Sequence, residues 1–159
     1  KSVRKFTGKP VPKEILEEMV KAGMAAPSAV NIQPWAFIAI DDDKILKQLR
    51  DVLPYAKMLN KAAIVVCGDR TKTTHSNHQY WVQDCSAATE NILLAAESLE
   101  LGAVWTAVYP VEERMQYVND ILNIPDHITP LCVIPIGYPE CESKPIDKWK
   151  PENLHWQSW

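Results

Sequence analysis

Ala25-Ala26-Pro27-Ser28-Ala29-Val30-Asn31-Ile32-Gln33-Pro34-Trp35 is the stretch on which the reading of this chain turns. Two prolines fix φ and remove backbone donors, and Ser28 and Asn31 favour local hydrogen bonds over a continuing helix, so the segment is irregular. An amphipathic helix precedes it. The apolar run Ala36-Phe37-Ile38-Ala39-Ile40 follows and reads as a buried strand. Polar groups in such a crossing need partners. Those partners are either local, as in an ordinary helix-to-strand turn, or they belong to a ligand.

On the N-terminal side, Pro12 opens a helix over about residues 12–25. Glu14, Glu17 and Glu18 sit near its positive end, and Ile15, Leu16, Met19, Val20 and Gly23 form one apolar face. On the other side, Asp41-Asp42-Asp43 is a turn whose last member caps a helix over roughly 43–50. It lacks the alternation, central Gly and distal Glu of a calcium loop. Residues 54–60 read as a further short helix. The run 62–68, continuously apolar and rich in β-branched residues, reads as a strand buried on both faces. A polar loop over 69–78 carries His75 and His78, but no second ligand pair stands at zinc-like spacing, and no metal site is expected.

Over 79–101, Trp81, Cys85, Ala88, Ile92, Ala95 and Leu99 recur at helical spacing, with Gly102 as a C-terminal stop. The run 92–96 is apolar nearly all round and is expected to be buried on every side, in a core or a dimer seam. Residues 103–108 read as a strand ending at Tyr109-Pro110. Pro110 then opens a helix with Glu112 and Glu113 in its first turn and Val111, Met115, Val118 and Leu122 on one face, stopping at Asn123. The run 131–137 is a strand that its internal Pro135 demotes to an edge or an unpaired stretch. From Tyr138 onward a polar tail carries Trp149, Trp156 and Trp159. Each would bury on the order of 200 Å², so the tail is expected to lie along a surface, its own or a partner subunit's. Together these elements predict an α+β sandwich of helices on a small sheet, one domain over 1–159.

Composition removes several function classes. With 47% apolar and 23% charged residues and a net charge of −3, the chain is an ordinary globular one. No basic run exceeds a dipeptide, so neither nucleic acid nor an acidic membrane surface is an expected partner. No apolar stretch approaches the ~18–20 residues of a membrane span. The basic start Lys1-Ser2-Val3-Arg4-Lys5 leads into polar sequence rather than a signal-peptide core, and without an initiator Met it leaves room for residues upstream. Cys67, Cys85, Cys132 and Cys141 form no C-x-x-C pair, which favours reduced, mostly buried thiols and a cytoplasmic location. With five glycines there is no G-x-G-x-x-G and no phosphate-binding G-x-x-x-x-G-K-[ST]. G-x-S-x-G and H-E-x-x-H are absent as well. No catalytic side-chain set is visible, so chemistry here would be brought by a cofactor.

Three separated stretches resemble the FMN-dependent nitroreductase family, in its compact branch. Ser2-Val3-Arg4-Lys5-Phe6 followed by Pro10-Val11-Pro12 is similar to the family's R-S-x-R-x-[FY] and P-V-P. Residues 26–35 match its A-P-S-x-x-N-x-Q-P-W. Leu101-Gly102 and Pro135-Ile136-Gly137-Tyr138-Pro139 resemble its L-G and P-x-G-Y-P elements. The resemblance implies a nitroreductase-like α/β sandwich, a central sheet flanked by helices, forming a homodimer with an exchanged C-terminal tail.

It also implies FMN at the subunit interface, reduced by NADH or NADPH and reoxidised by a nitroaromatic, quinone or related small-molecule acceptor in ping-pong fashion. A specialised flavoenzyme for one acceptor and a non-catalytic flavin-binding dimer are the alternatives. By the same resemblance Ser2 and Arg4 hold the FMN phosphate, a dianion of roughly −1.5 to −2. The family's further arginine, two positions before that serine, falls upstream of Lys1. Pro27, Ser28 and Asn31 reach the flavin from the other subunit. Ala107, Tyr109 and Pro110 lie against it, with a backbone N–H near residue 109 directed at N5. Lys148 and Lys150 stand where the family has K-x-R for the phosphate, Lys148 preferred, and Lys57 resembles a further basic contact. No side chain is expected to act as a catalytic residue in its own right.

Overall fold

In the computed structural model, which describes all residues except 74–79, 143 and 145, the apolar run becomes strand β2 (Ala62–Asp69). Its side chains alternate between two cores. Ala62, Ile64 and Val66 enter one, and Ala63, Val65 and Cys67 enter the other. A strand covered on both faces has no use for a polar face, which is why its sequence runs apolar without alternation. The first core is closed by helices α1 (Lys13–Met24) and α3 (Tyr80–Ser98), the second by α2 (Asp43–Val52) and α4 (Glu112–Leu122). Strands β1 (Trp35–Ile40), β3 (Gly102–Ala103), β4 (Thr106–Ala107) and β5 (Ile128–Gly137) complete an antiparallel sheet in the order β1-β2-β5-β3, with β4 also on β5. The expected α+β sandwich is the observed one, and no helix among the described residues is long and apolar enough to cross a membrane.

Several local expectations are corrected. β5 is not an edge but lies between β2 on one side and β3 and β4 on the other. Pro135 is tolerated there because its nitrogen faces the interval between β3 and β4. Its carbonyl accepts Val104 N–H at 3.3 Å on that side, and no return bond is possible. Strand β1 is one edge and β3 with β4 the other; in β1 only Trp35 and Ile40 are buried and Ala39 is exposed. On α3 the core of the single chain does not enclose the run 92–96, since Leu94 is 61% exposed on a face that nothing among the described residues covers.

Capping also differs in detail. Asp42, not Asp43, caps α2, its carboxylate accepting Lys44 and Ile45 N–H at 2.9 Å each. Gly102 does not stop α3. Glu100 takes the left-handed conformation (φ 60) and Leu101 N–H returns to Ala96 O at 2.8 Å, a Schellman closure. Asn123 (φ 51) ends α4 as expected, with Ile124 N–H on Asn119 O. Pro110 lies outside α4, whose first residue is Glu112. Residues 54–60 form consecutive turns (Ala56 N–H to Leu53 O, Leu59 N–H to Ala56 O) rather than a helix. His75 and His78 lie outside the described residues, and among the described ones no three metal-ligating side chains converge.

Beyond Glu140 the described residues of the tail show short-range bonds only, such as Trp149 N–H to Asp147 and Leu154 N–H to Pro151 O. Trp149, Trp156 and Trp159 stay exposed, with Ile146 and Leu154. In the single chain these side chains are not covered.

One close approach sets the height of α3 over the sheet. The Trp81 indole rests on Gly68 of β2, where an added Cβ would stand 2.2 Å from Trp81 Cε3. Gly68→Ala is therefore expected to displace the indole and cost about 1–3 kcal/mol by overpacking, read as a lower urea midpoint at unchanged slope.

Candidate functional site

The stretch 25–35 leaves α1 and makes one 3₁₀ turn over Ala29–Asn31. Val30, Asn31 and Gln33 all have positive φ (45, 58 and 52), a region that branched side chains in particular avoid. Part of its polar inventory is satisfied locally: Ser28 Oγ accepts Gln33 N–H at 2.9 Å, and Gln33 Nε2 donates to Asn31 Oδ1 at 3.0 Å. One bond is long-range, from Ala29 N–H to Asp84 Oδ1 at 2.8 Å. Pro27, Asn31 and Gln33 are exposed, and Val30 is 85% exposed, so the segment is presented outward rather than buried within its own chain.

The N-terminus is pinned to the far side of the sheet. Val3 N–H bonds Ala103 O at 2.9 Å, Phe6 bridges Pro139, and Thr7 N–H bonds Tyr138 O at 2.8 Å. This lays Arg4 beside the interval between β3 and β4, over a cavity of about 390 Å³ that Tyr55, Lys57, Trp105 and Ala107 also line. Lys57 Nζ donates to Arg50 O at 2.8 Å and Asp51 O at 3.2 Å, carbonyls in the last turn of α2 where a cation is favoured. Arg114 touches two of the residues that line it, 5.2 Å from the Tyr55 ring and donating to Ala107 O at 3.3 Å. Among the described residues, none of Arg4, Lys57 and Arg114 is in an ion pair.

The backbone adds a donor. Thr106 pairs with Val133, and Val108 N–H bonds Leu131 O at 3.0 Å, so the intervening Ala107 directs its N–H away from β5. The sequence placed a donor near residue 109; the N–H of Tyr109 itself is held by Leu131 O at 3.1 Å.

Of the residues singled out by sequence, the structure thus gathers Arg4, Lys57 and Ala107 in one cavity. Ser2 is exposed at the start of the pinned segment. Tyr109 lies elsewhere, edge-on to Trp81 at 5.0 Å in a separate groove of about 1020 Å³ with Arg70, Gln83 and Met115, and Pro110 beside it is exposed. Pro27, Ser28 and Asn31 line neither space. Lys148 and Lys150 are exposed in the tail. Sequence reasoning missed Tyr55, Trp105 and Arg114. Arg114 had a usable signal, its place one turn into the helix after Tyr109-Pro110.

The chain matches the nitroreductase family model over residues 1–54 and 46–138, and it belongs to that family. It is 42% identical over its whole length to a Methanothermobacter thermautotrophicus protein with the provisional name NADH dehydrogenase/NAD(P)H nitroreductase, covering 83% of it. A solved Parabacteroides distasonis structure with the same provisional name is 48% identical, with TM-score 0.93, over 100% of this chain and 94% of that one. An FMN-dependent nitroreductase from Clostridium difficile is 28% identical, with TM-score 0.90, over 100% and 95% of the two chains.

The thiols stand apart from this cavity. Cys67, Cys85 and Cys132 are buried and Cys141 is exposed, all unpaired. Burial pushes Cys67 and Cys132 up to about 12 and raises Cys85 too, so none is a nucleophile at neutral pH. In the unfolded chain the same thiols ionise near their ordinary value of 9.0. The folded state then holds more protons at these sites, so their contribution to stability is full below pH 9 and is lost as pH rises from about 9 toward 12. A urea-midpoint series across that window is expected to show the loss, and Cys67→Ser to lessen it. At pH 8 a thiol reagent is expected to label the native protein at Cys141, with Cys141→Ser removing the fast reaction.

Proposed function

We propose that this chain is an FMN-dependent NAD(P)H oxidoreductase of the nitroreductase type, a single FMN-binding domain over 1–159 acting as a homodimer in the cytoplasm. The observation that carries the reading is the Arg4 cavity. Cations without carboxylate partners, two aromatic rings and one outward backbone N–H fit the phosphate, the flat ring system and the ring-edge acceptors of FMN in turn. Bound FMN supplies ping-pong hydride transfer from NADH or NADPH to a nitroaromatic, quinone or related acceptor.

The protein's part is to bind, orient and polarise. Arg4 and Ser2 hold the phosphate, with Lys57 and Arg114 adding positive potential around it. Lys148 and Lys150 join them from the tail, as charges without the bidentate fork of arginine. The Ala107 N–H is a fixed donor for the ring, and a preorganised dipole of this kind favours the electron-rich state. Tyr109 and Pro110 support that strand end from the neighbouring groove. No side chain is assigned a nucleophilic or acid–base role.

The homodimer explains what a single chain leaves apart. The turn bearing Pro27, Ser28 and Asn31 shares no cavity with Arg4, and a two-fold axis brings each turn to the other chain's cavity. Exposed Leu94, Met24 and Val30 supply apolar area for such an interface. The tail, with its exposed tryptophans, crosses to the partner. Free, mostly buried thiols suit a reducing compartment.

Purified protein is expected to be a yellow dimer, bleached anaerobically by NADH or NADPH and recoloured by a nitroaromatic. Failure to bind FMN at micromolar concentration sinks the proposal. Arg4→Ala is expected to weaken FMN binding by about tenfold or more, the loss of a charge-assisted bond. Truncation after Glu140 is expected to weaken both dimer and flavin occupancy, read by sedimentation and absorbance.

A further inference from the structure

Asp84 is the only charged side chain buried among the described residues, at 7% exposure, and it has no ion-pair partner there. A buried carboxylate without a cation is costly and persists where it does something the fold needs. Its oxygen Oδ1 accepts the Ala29 N–H at 2.8 Å, across 55 positions of sequence. Ala29 opens the turn in which Val30 and Asn31 adopt left-handed conformations, Val30 against the preference of a β-branched side chain. The next residues continue the same logic. Ser28 Oγ takes Gln33 N–H, and the Gln33 side chain donates to Asn31 Oδ1 at 3.0 Å. With its carboxamide oxygen engaged, exposed Asn31 has its NH₂ left to offer outward.

We infer that Asp84 and Gln33 are positioning residues for this turn. Asp84 locks the backbone at Ala29, and Gln33 occupies the oxygen of Asn31. Asn31 is thereby presented as a donor, suited to a carbonyl oxygen or acceptor nitrogen on the pyrimidine edge of the partner's flavin. The identity of the recipient rests on the FMN reading; the locking of the turn does not.

Two measurements on the full-length dimer separate these. In flavin-free protein, exchange of the Ala29 amide is expected to quicken at least about tenfold in Asp84→Ala, the loss of one bond to a charged acceptor. In Asp84→Asn, whose amide oxygen still accepts, exchange is expected within about threefold of wild type. In titrations with FMN, Asp84→Ala and Gln33→Ala are each expected to raise the dissociation constant about tenfold, with Asp84→Asn restoring it. Unchanged Ala29 exchange in Asp84→Ala, or unchanged FMN affinity in a folded Gln33→Ala dimer, overturns the inference. Gln33 is exposed, so that variant decides the question if Asp84→Ala does not fold. If the wild-type protein binds no FMN, the functional reading fails while the exchange experiment still judges Asp84.

Discussion

Strand β5 must serve two neighbours at once, and Pro135 lets it do so only incompletely. A proline has a carbonyl to offer but no N–H, so opposite it the outer strand is split into β3 and β4. That split sits beside Trp105 and Ala107, where Arg4 is brought by the pinned N-terminus. A donor missing from the centre of the sheet therefore lies next to a donor, the Ala107 N–H, directed away from the sheet at its rim. Beside that split lies the cavity whose cations, Arg4 and Lys57, have no ion-pair partner among the described residues.

The remaining architecture holds this rim at a defined distance from the helices. β2 and β5 are packed from both faces, by α1 and α3 on one and α2 and α4 on the other. Interiors of this density transmit small changes of volume. Trp81 links the two levels, resting on Gly68 while its edge meets Tyr109 just beyond the rim strand. By contrast, β1, the outer face of α3 and the tail leave apolar side chains uncovered, a surface consistent with assembly from two copies.

Much of this was legible in the residues. The apolar run 62–68 announced a doubly covered strand, and periodicity located α1, α3 and α4. The motif residues around Arg4 and Asn31 carried the family resemblance. Pro135 misled, because the rule against proline in central strands concerns a missing donor, and only the facing strand reveals whether that donor is wanted. Leu94 shows a related limit: periodicity shows that a face is apolar, not which molecule covers it. Asp84 gave no signal, since a carboxylate in a helical stretch looks like any solvated charge until its partner, 55 positions away, is known.

Local chemistry thus determined which segments are helix, strand or irregular, because propensity, periodicity and proline act over a few residues. It also determined that residues 25–35 are irregular and polar. Tertiary structure alone decided where that turn and its counterpart at Arg4 lie. It separated the two within one chain, turned Ala107 rather than Tyr109 outward, and tied Ala29 to Asp84. Those outcomes depend on contacts between residues far apart in the chain, and such contacts follow from packing and strand register rather than from any local pattern.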